Sequence, residues 1–200
     1  MSKQEIRAQD LLSVPGVRVA AVASHIRYAN RLDLVLIELA QGSTVAGVFT
    51  LNAFCAAPVH VARKHLLSSG GAIRYLLVNT GNANAGTGQR GLDDAIASCD
   101  FVAKHAGVPI DAVLPFSTGV IGENLPVAKI CAGVPNAFAA LGEDWLNTAK
   151  GIMTTDTVPK ARSVRIEIAG KPVVITGITK GAGMIKPNMA TMLSYVFTDA

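Results

Sequence analysis

Residues 164–169 and 173–178 are two short apolar runs with only Gly170, Lys171 and Pro172 between them. A parallel pair of strands needs a crossover of about a dozen residues, so runs this close are expected to lie antiparallel, as a hairpin joined through Gly170-Lys171. Residues 34–39 and 44–50, spaced by Ala40-Gln-Gly-Ser43, carry the same expectation. Further β-like runs cover residues 17–23, 73–79, 113–116 and 192–197. Strands of this kind interleaved with helical patterns predict an α+β fold in layers.

The helical patterns lie in the middle of the chain. Ala95, Ile96, Cys99, Val102, Ala103 and Ala106 make one apolar stripe, which predicts a helix over residues 92–106. Asp93 and Asp94 complement its N-terminal dipole and Gly107 supplies the stop. Further helices are expected over residues 58–67, ended by Gly70-Gly71, over residues 125–141 with a break at Gly133 and Pro135, and over residues 143–153 with Trp145 as core anchor. Hydrophobic residues make up 50% of the chain and aromatics 5%, so the interior is built mainly from Ala, Val, Leu and Ile. So apolar a composition predicts surface that is buried against a further half or a second protomer.

The run Lys180-Gly-Ala-Gly-Met-Ile-Lys-Pro-Asn-Met-Ala-Thr-Met-Leu-Ser194 concentrates the chemistry. Gly181 and Gly183 permit unusual dihedrals, Pro187 fixes its own φ and restricts Lys186, and Asn188 favours turns, all just before a β-like run. A threonine hydroxyl is a poor nucleophile until a base takes its proton. Cutting the Ala190-Thr191 bond would supply that base as the threonine's own α-amine, which titrates near about pH 7.7–8.0. A glycine-rich loop leading into an ordinary core strand explains the same letters.

Other polar clusters also carry two readings. Ser117-Thr118-Gly119 follows a short apolar strand and offers a hydroxyl and a backbone N–H to a negative oxygen, or forms a plain turn. Thr154-Thr-Asp-Thr157 offers hydrogen bonds to a polar substrate, or caps a helix. Gly86-Thr-Gly-Gln-Arg-Gly91 is formally the dinucleotide fingerprint GxGxxG, with Asp111 downstream, yet residues 79–85 separate its first glycine from the preceding strand, where the fingerprint needs direct contact.

Four segments in order resemble the signature segments of the ArgJ-type ornithine acetyltransferases. They are Val78-Asn-Thr-Gly-Asn-Ala-Asn-Ala-Gly86, Leu114-Pro-Phe-Ser-Thr-Gly-Val-Ile-Gly122, Met153-Thr-Thr-Asp-Thr-Val-Pro-Lys160 and the run from Lys180 to Leu193. The likeness extends over residues 10–200, with Ala190-Thr191 at the processing point. It implies helix/sheet/sheet/helix layers, Ntn-like but distinct, and a self-cleaving glutamate N-acetyltransferase of arginine biosynthesis that moves acetyl from N-acetylornithine to glutamate. An Ntn-like amidohydrolase or aminopeptidase, with water as acceptor, is the neighbouring alternative, and a dinucleotide-binding module on Gly86–Gly91 is the distant one.

By the same resemblance Thr191 is the nucleophile, Thr118 and Gly119 are the oxyanion donors, and Thr154 and Lys180 contact substrate together with Thr191. Thr155 and Thr157 are chemically equivalent to Thr154, Lys186 is a second choice to Lys180, and Asp156 organises its turn. Residues 1–190 then form an α-chain region and residues 191–200 the first strand of a β-chain region, whose remainder lies beyond this sequence and without which the fold is incomplete. The implied assembly is an α2β2 heterotetramer. No cofactor is implied, and acetyl-CoA stands as an open co-substrate.

Charge and cysteine content narrow the classes further. The net charge is +4, but lysines and arginines are scattered, with Arg63-Lys64 the only adjacent pair and no interleaved aromatics, which argues against nucleic acid. Residues 39–62 lack charge yet are interrupted by Gln41, Asn52 and Pro58, so no membrane span is expected. The N-terminus has no signal-type apolar region, which points to the cytosol. Cys55, Cys99 and Cys131 are widely spaced and His60 and His65 are not an i, i+4 pair, so no metal site is expected.

Overall fold

The computed structural model describes residues 6–181 and 192–200. Its first sheet has the strand order β1-β2-β3-β4, in which β1 (Val17–Val22), β2 (Leu34–Leu39) and β3 (Tyr75–Asn82) alternate in direction. β3 and β4 (Val113–Val120) are parallel, and the crossover between them is α2 (Gly88–Ala106). The side chains divide by alternation. Leu34, Leu36, Tyr75, Leu77 and Val113 face a core shared with Cys99, Val102, Ile130 and Val134 of the helices. Val35, Ile37, Leu76, Val78 and Leu114 face the other way, into a core shared with Val174, Ile178, Tyr195 and Phe197.

Those last residues belong to the second sheet, in which β5 (Lys160–Ile168), β6 (Lys171–Lys180) and β7 (Leu193–Thr198) form an antiparallel set with β6 in the centre. Helices α1 (Ala57–Ser68), α2 and α3 (Val127–Ala139) pack on the first sheet, and α4 (Trp145–Gly151) seals the inter-sheet layer with Trp145, which meets Phe197 at 5.3 Å between ring centroids. The result is an α+β stack of helices, sheet and sheet. On the outer side of the second sheet Val164, Ile166, Ile168 and Val196 are exposed. Among the described residues no helix is long and apolar enough to cross a membrane.

Four expectations need correction. Residues 44–50 form no strand, because both edges of β2 are already taken by β1 and β3; the run lies instead as a loop, with Val45 N–H donating to Gly71 O and Arg63 over the Phe49 ring. The hairpin of β5 and β6 turns one residue earlier, at Ala169-Gly170, both at positive φ, so that Ile168 faces Lys171. α2 begins at Gly88, which puts Asp93 and Asp94 beyond its first turn.

The fourth correction concerns α3, which runs unbroken through Gly133 and Pro135. An interior proline costs roughly 3 kcal/mol, whereas burying Ile130 and Val134 completely contributes roughly 1.5–3 kcal/mol each, so packing wins. Gly133 has a packing role. A Cβ there would sit 2.3 Å from Ser24 Oγ and 2.8 Å from Leu34 Cδ2, so only glycine lets α3 come this close to the sheet.

Candidate functional site

At one end of the inter-sheet layer the apolar lining gives way to polar groups. Thr118, in β4, follows Leu114 and Phe116 on the face turned to the second sheet, and Lys180 ends β6 beyond Ile178. Both residues are 4% exposed. Lys180 Nζ donates to Thr118 Oγ1 at 2.8 Å, joining the two sheets. Burial pulls the Lys180 pKa down; the nearby Asp156 carboxylate pulls it back, Lys160 opposes that, and the balance stays below the ordinary lysine value.

Gly119 follows at φ +139 against the backbone of the neighbouring strand, where the β3–β4 register shifts at Gly81 and Asn82. A Cβ at 119 would lie 2.3 Å from the Gly81 carbonyl carbon and 2.5 Å from Asn82 N. A polar network on the helix side holds this irregularity. Ser117 Oγ donates to Asn79 Oδ1 at 2.6 Å, Asn79 Nδ2 to Asn82 O at 2.9 Å, and Asn82 Nδ2 to the carbonyls of Glu123 and Asn124. Buried amides satisfied in this way fix one backbone path.

Asp156 ties the third segment to the same place. Its side chain is 1% exposed although its backbone is partly open. It accepts from Lys160 Nζ, from Gly181 N at 3.0 Å and from Thr154 N at 3.5 Å. Desolvation alone would raise its pKa, but these hydrogen bonds and the Lys160 charge outweigh burial and hold it below the ordinary carboxylate value. Asp156 therefore organises the turn, as its sequence context suggested, and also pins that turn to the end of β6. Thr154 is half-buried there, whereas Thr155 and Thr157 are exposed. Arg31, which sequence reasoning passed over, donates to Met153 O at 2.6 Å and Thr154 O at 3.0 Å. No local pattern marks it.

Ala190, Thr191 and Lys186 lie outside the described residues. The described chain resumes at Met192, whose Cγ would lie 3.2 Å from a Cβ on Gly181, and Leu193 pairs with Lys180. Met192, the residue bonded to Thr191, thus stands beside the end of the Lys180 strand, at the start of β7. The formal GxGxxG run has a structural account of its own. Gly91 lies inside α2, where a Cβ would overlap Thr87 Oγ1 at 1.9 Å, and Asn84 Nδ2 donates to Gly91 O. Among the thiols, Cys99 is fully buried and its pKa is driven up by burial, which keeps it from being a nucleophile.

Fold and site together define a two-sheet α+β protein with a buried hydroxyl–ammonium pair where the two sheets meet. Residues 18–200 match the ArgJ family. The chain belongs to that family. It is 61% identical over 191 residues to the arginine biosynthesis bifunctional protein ArgJ of Methylococcus capsulatus, covering 95% of this chain and 46% of that protein, so it spans about half the length of this relative. The crystal structure of the Bacillus halodurans bifunctional protein ArgJ superposes with a TM-score of 0.81 at 34% identity, covering 90% of this chain and 92% of that one. The ornithine acetyltransferase of Mycobacterium tuberculosis, solved in complex with ornithine, superposes with a TM-score of 0.79 at 32% identity, covering 94% and 98%.

Proposed function

We propose that this chain is the first part of a self-processing acetyltransferase of arginine biosynthesis, working in the cytosol. The observation that carries the reading is the meeting of Thr118, Gly119 and Lys180 beside the strand head from which the chain leads back to Thr191. In this reading the Thr191 hydroxyl attacks the Ala190 carbonyl, the peptide nitrogen leaves as the free α-amine, and water releases residue 190 from the ester. The mature Thr191 then attacks the acetyl carbonyl of N-acetylornithine. Its α-amine takes the hydroxyl proton and passes it to the departing ornithine amine. Glutamate takes the acetyl group from the ester, restoring the hydroxyl.

Thr118 Oγ1–H and Gly119 N–H are the donors for both tetrahedral anions, and Thr154 contacts the amino-acid part of the substrate. The buried end of the layer strengthens such contacts, because little water competes there. The reading needs no cofactor, and acetyl-CoA is a further acetyl donor to be tried in the same assay. The exposed apolar side of the second sheet is covered by the β-chain region, in an α2β2 assembly.

The test uses the full-length protein. Intact mass should show two polypeptides divided between Ala190 and Thr191, native mass should show four, and acetyl should pass from N-acetylornithine to glutamate. Thr191→Ala should leave one uncut chain without transfer. A transferase that stays active with that substitution refutes the assignment.

A further inference from the structure

An ammonium has only N–H donors and no lone pair to accept with. The Lys180–Thr118 contact therefore has one direction: Lys180 donates, and Thr118 Oγ1 accepts. The hydroxyl proton of Thr118 must then point away from Lys180. The paired position on β3 does not take it. Thr80 faces Thr118 across the parallel ladder and is 1% exposed, yet its hydroxyl has no hydrogen-bond partner among the described residues.

Resting on the proposed acyl transfer, we infer that Lys180 acts through Thr118: its ammonium grips the hydroxyl oxygen, fixes the rotor and polarises the O–H that donates to the oxyanion. Lys180 is on this account a positioning residue of the oxyanion hole. No proton leaves Lys180 in any step; both hydrogen bonds shorten as negative charge develops on the substrate oxygen and relax when it collapses. A positive group placed behind a hydroxyl donor strengthens it, because hydrogen bonds in series polarise one another where the local dielectric is low. Asp156 supports the arrangement from behind Gly181, where its negative charge favours the protonated ammonium.

The two roles open to Lys180 make opposite forecasts. If the ammonium held the substrate carboxylate, Lys180→Met would raise KM, and N-acetylputrescine, which lacks the carboxylate, would be used equally by both proteins. Acting through Thr118, the lysine should be felt in kcat, and its removal should slow both substrates by a similar factor, about tenfold or more. The deciding experiment is a double-mutant cycle in the full-length protein with Lys180→Met and Thr118→Val. Loss of one oxyanion donor costs roughly 100- to 1,000-fold in turnover. Once the hydroxyl is gone, removing the lysine should add less than about threefold. Thr118→Ser, which keeps a hydroxyl, should restore the lysine effect.

Multiplicative losses in the cycle, or a Lys180→Met penalty that vanishes with N-acetylputrescine, would overturn the relay while leaving the acetyltransferase reading intact. A wild-type protein that transfers no acetyl group is the different failure that refutes the proposed function. The self-cleavage rates of the same four proteins then decide the relay, since that step passes through the same kind of anion. Equal rates with and without Lys180 would end it.

Discussion

Replacing Gly119 with alanine tests the geometry on which the site depends. The new Cβ would sit 2.3 Å from the Gly81 carbonyl carbon, 2.5 Å from Asn82 N and 2.8 Å from Gly81 Cα. All three are backbone atoms of the adjoining strand and cannot rotate aside as a side-chain tip would. Gly81 is itself approached closely from elsewhere, since a Cβ there would meet Arg27 Cβ at 2.8 Å. Two costs add. An L-residue at φ +139 carries roughly 1–3 kcal/mol of backbone strain, and forcing a methyl into packed backbone carries roughly another 1–3 kcal/mol.

Gly122→Ala is the control, because Gly122 also has positive φ, +81, but open space where the Cβ would go. Urea unfolding of both full-length variants separates strain from overlap. Gly119→Ala should lose at least about 1 kcal/mol more than Gly122→Ala with an unchanged m-value, and its acetyl transfer should fall with the displaced N–H. Equal midpoints together with full activity would show that the β3–β4 contact does not constrain Gly119.

Two further outcomes follow from the charge and hydrogen-bond pattern. Asp156 has a lowered pKa in the folded protein, so its contribution is present above the ordinary carboxylate value of about 4 and is lost as pH falls through its own lower value. Asp156→Asn should therefore cost about 1.5–3 kcal/mol at neutral pH and progressively less below about pH 4, as read from unfolding midpoints across that range; a pH-independent cost would refute the linkage. The Tyr195 hydroxyl is buried without a partner among the described residues. Tyr195→Phe should leave stability unchanged or raise it by about 1 kcal/mol in a thermal melt, and a loss of that size would mean that the hydroxyl is bonded in the complete protein.

Apolar patterning located the strands by their cores and missed their polar ends. The apolar run at the start of β4 ends at Phe116 while the strand continues through Val120, and β3 continues past Asn79 to Asn82. The main-chain ladder of β3 and β4 runs on through those extensions, but their side chains are polar: Ser117 bonds Asn79, and Thr118 bonds Lys180 of the other sheet, groups to which a hydrophobic period is blind. Residues 44–50 show the opposite error: β-like letters make a strand only where a sheet edge is open. Pro135 shows that a local breaker yields when the buried flank of its helix is strong enough. Within the site, the candidate segments were recognisable one at a time. Their meeting was not, because Lys180 and Thr118 are 62 residues apart and only the stacking of two sheets brings them together.

The antiparallel ladder of β6 and β7 runs from Ile175–Thr198 to Lys180–Leu193 and binds two arms whose covalent link is the stretch from 182 to 191. Severing that link would shed nothing. The downstream piece would stay clipped in register by its main-chain bonds and by Tyr195 and Phe197 in the shared core, so a scissioned molecule would still melt as one unit and part only under denaturant.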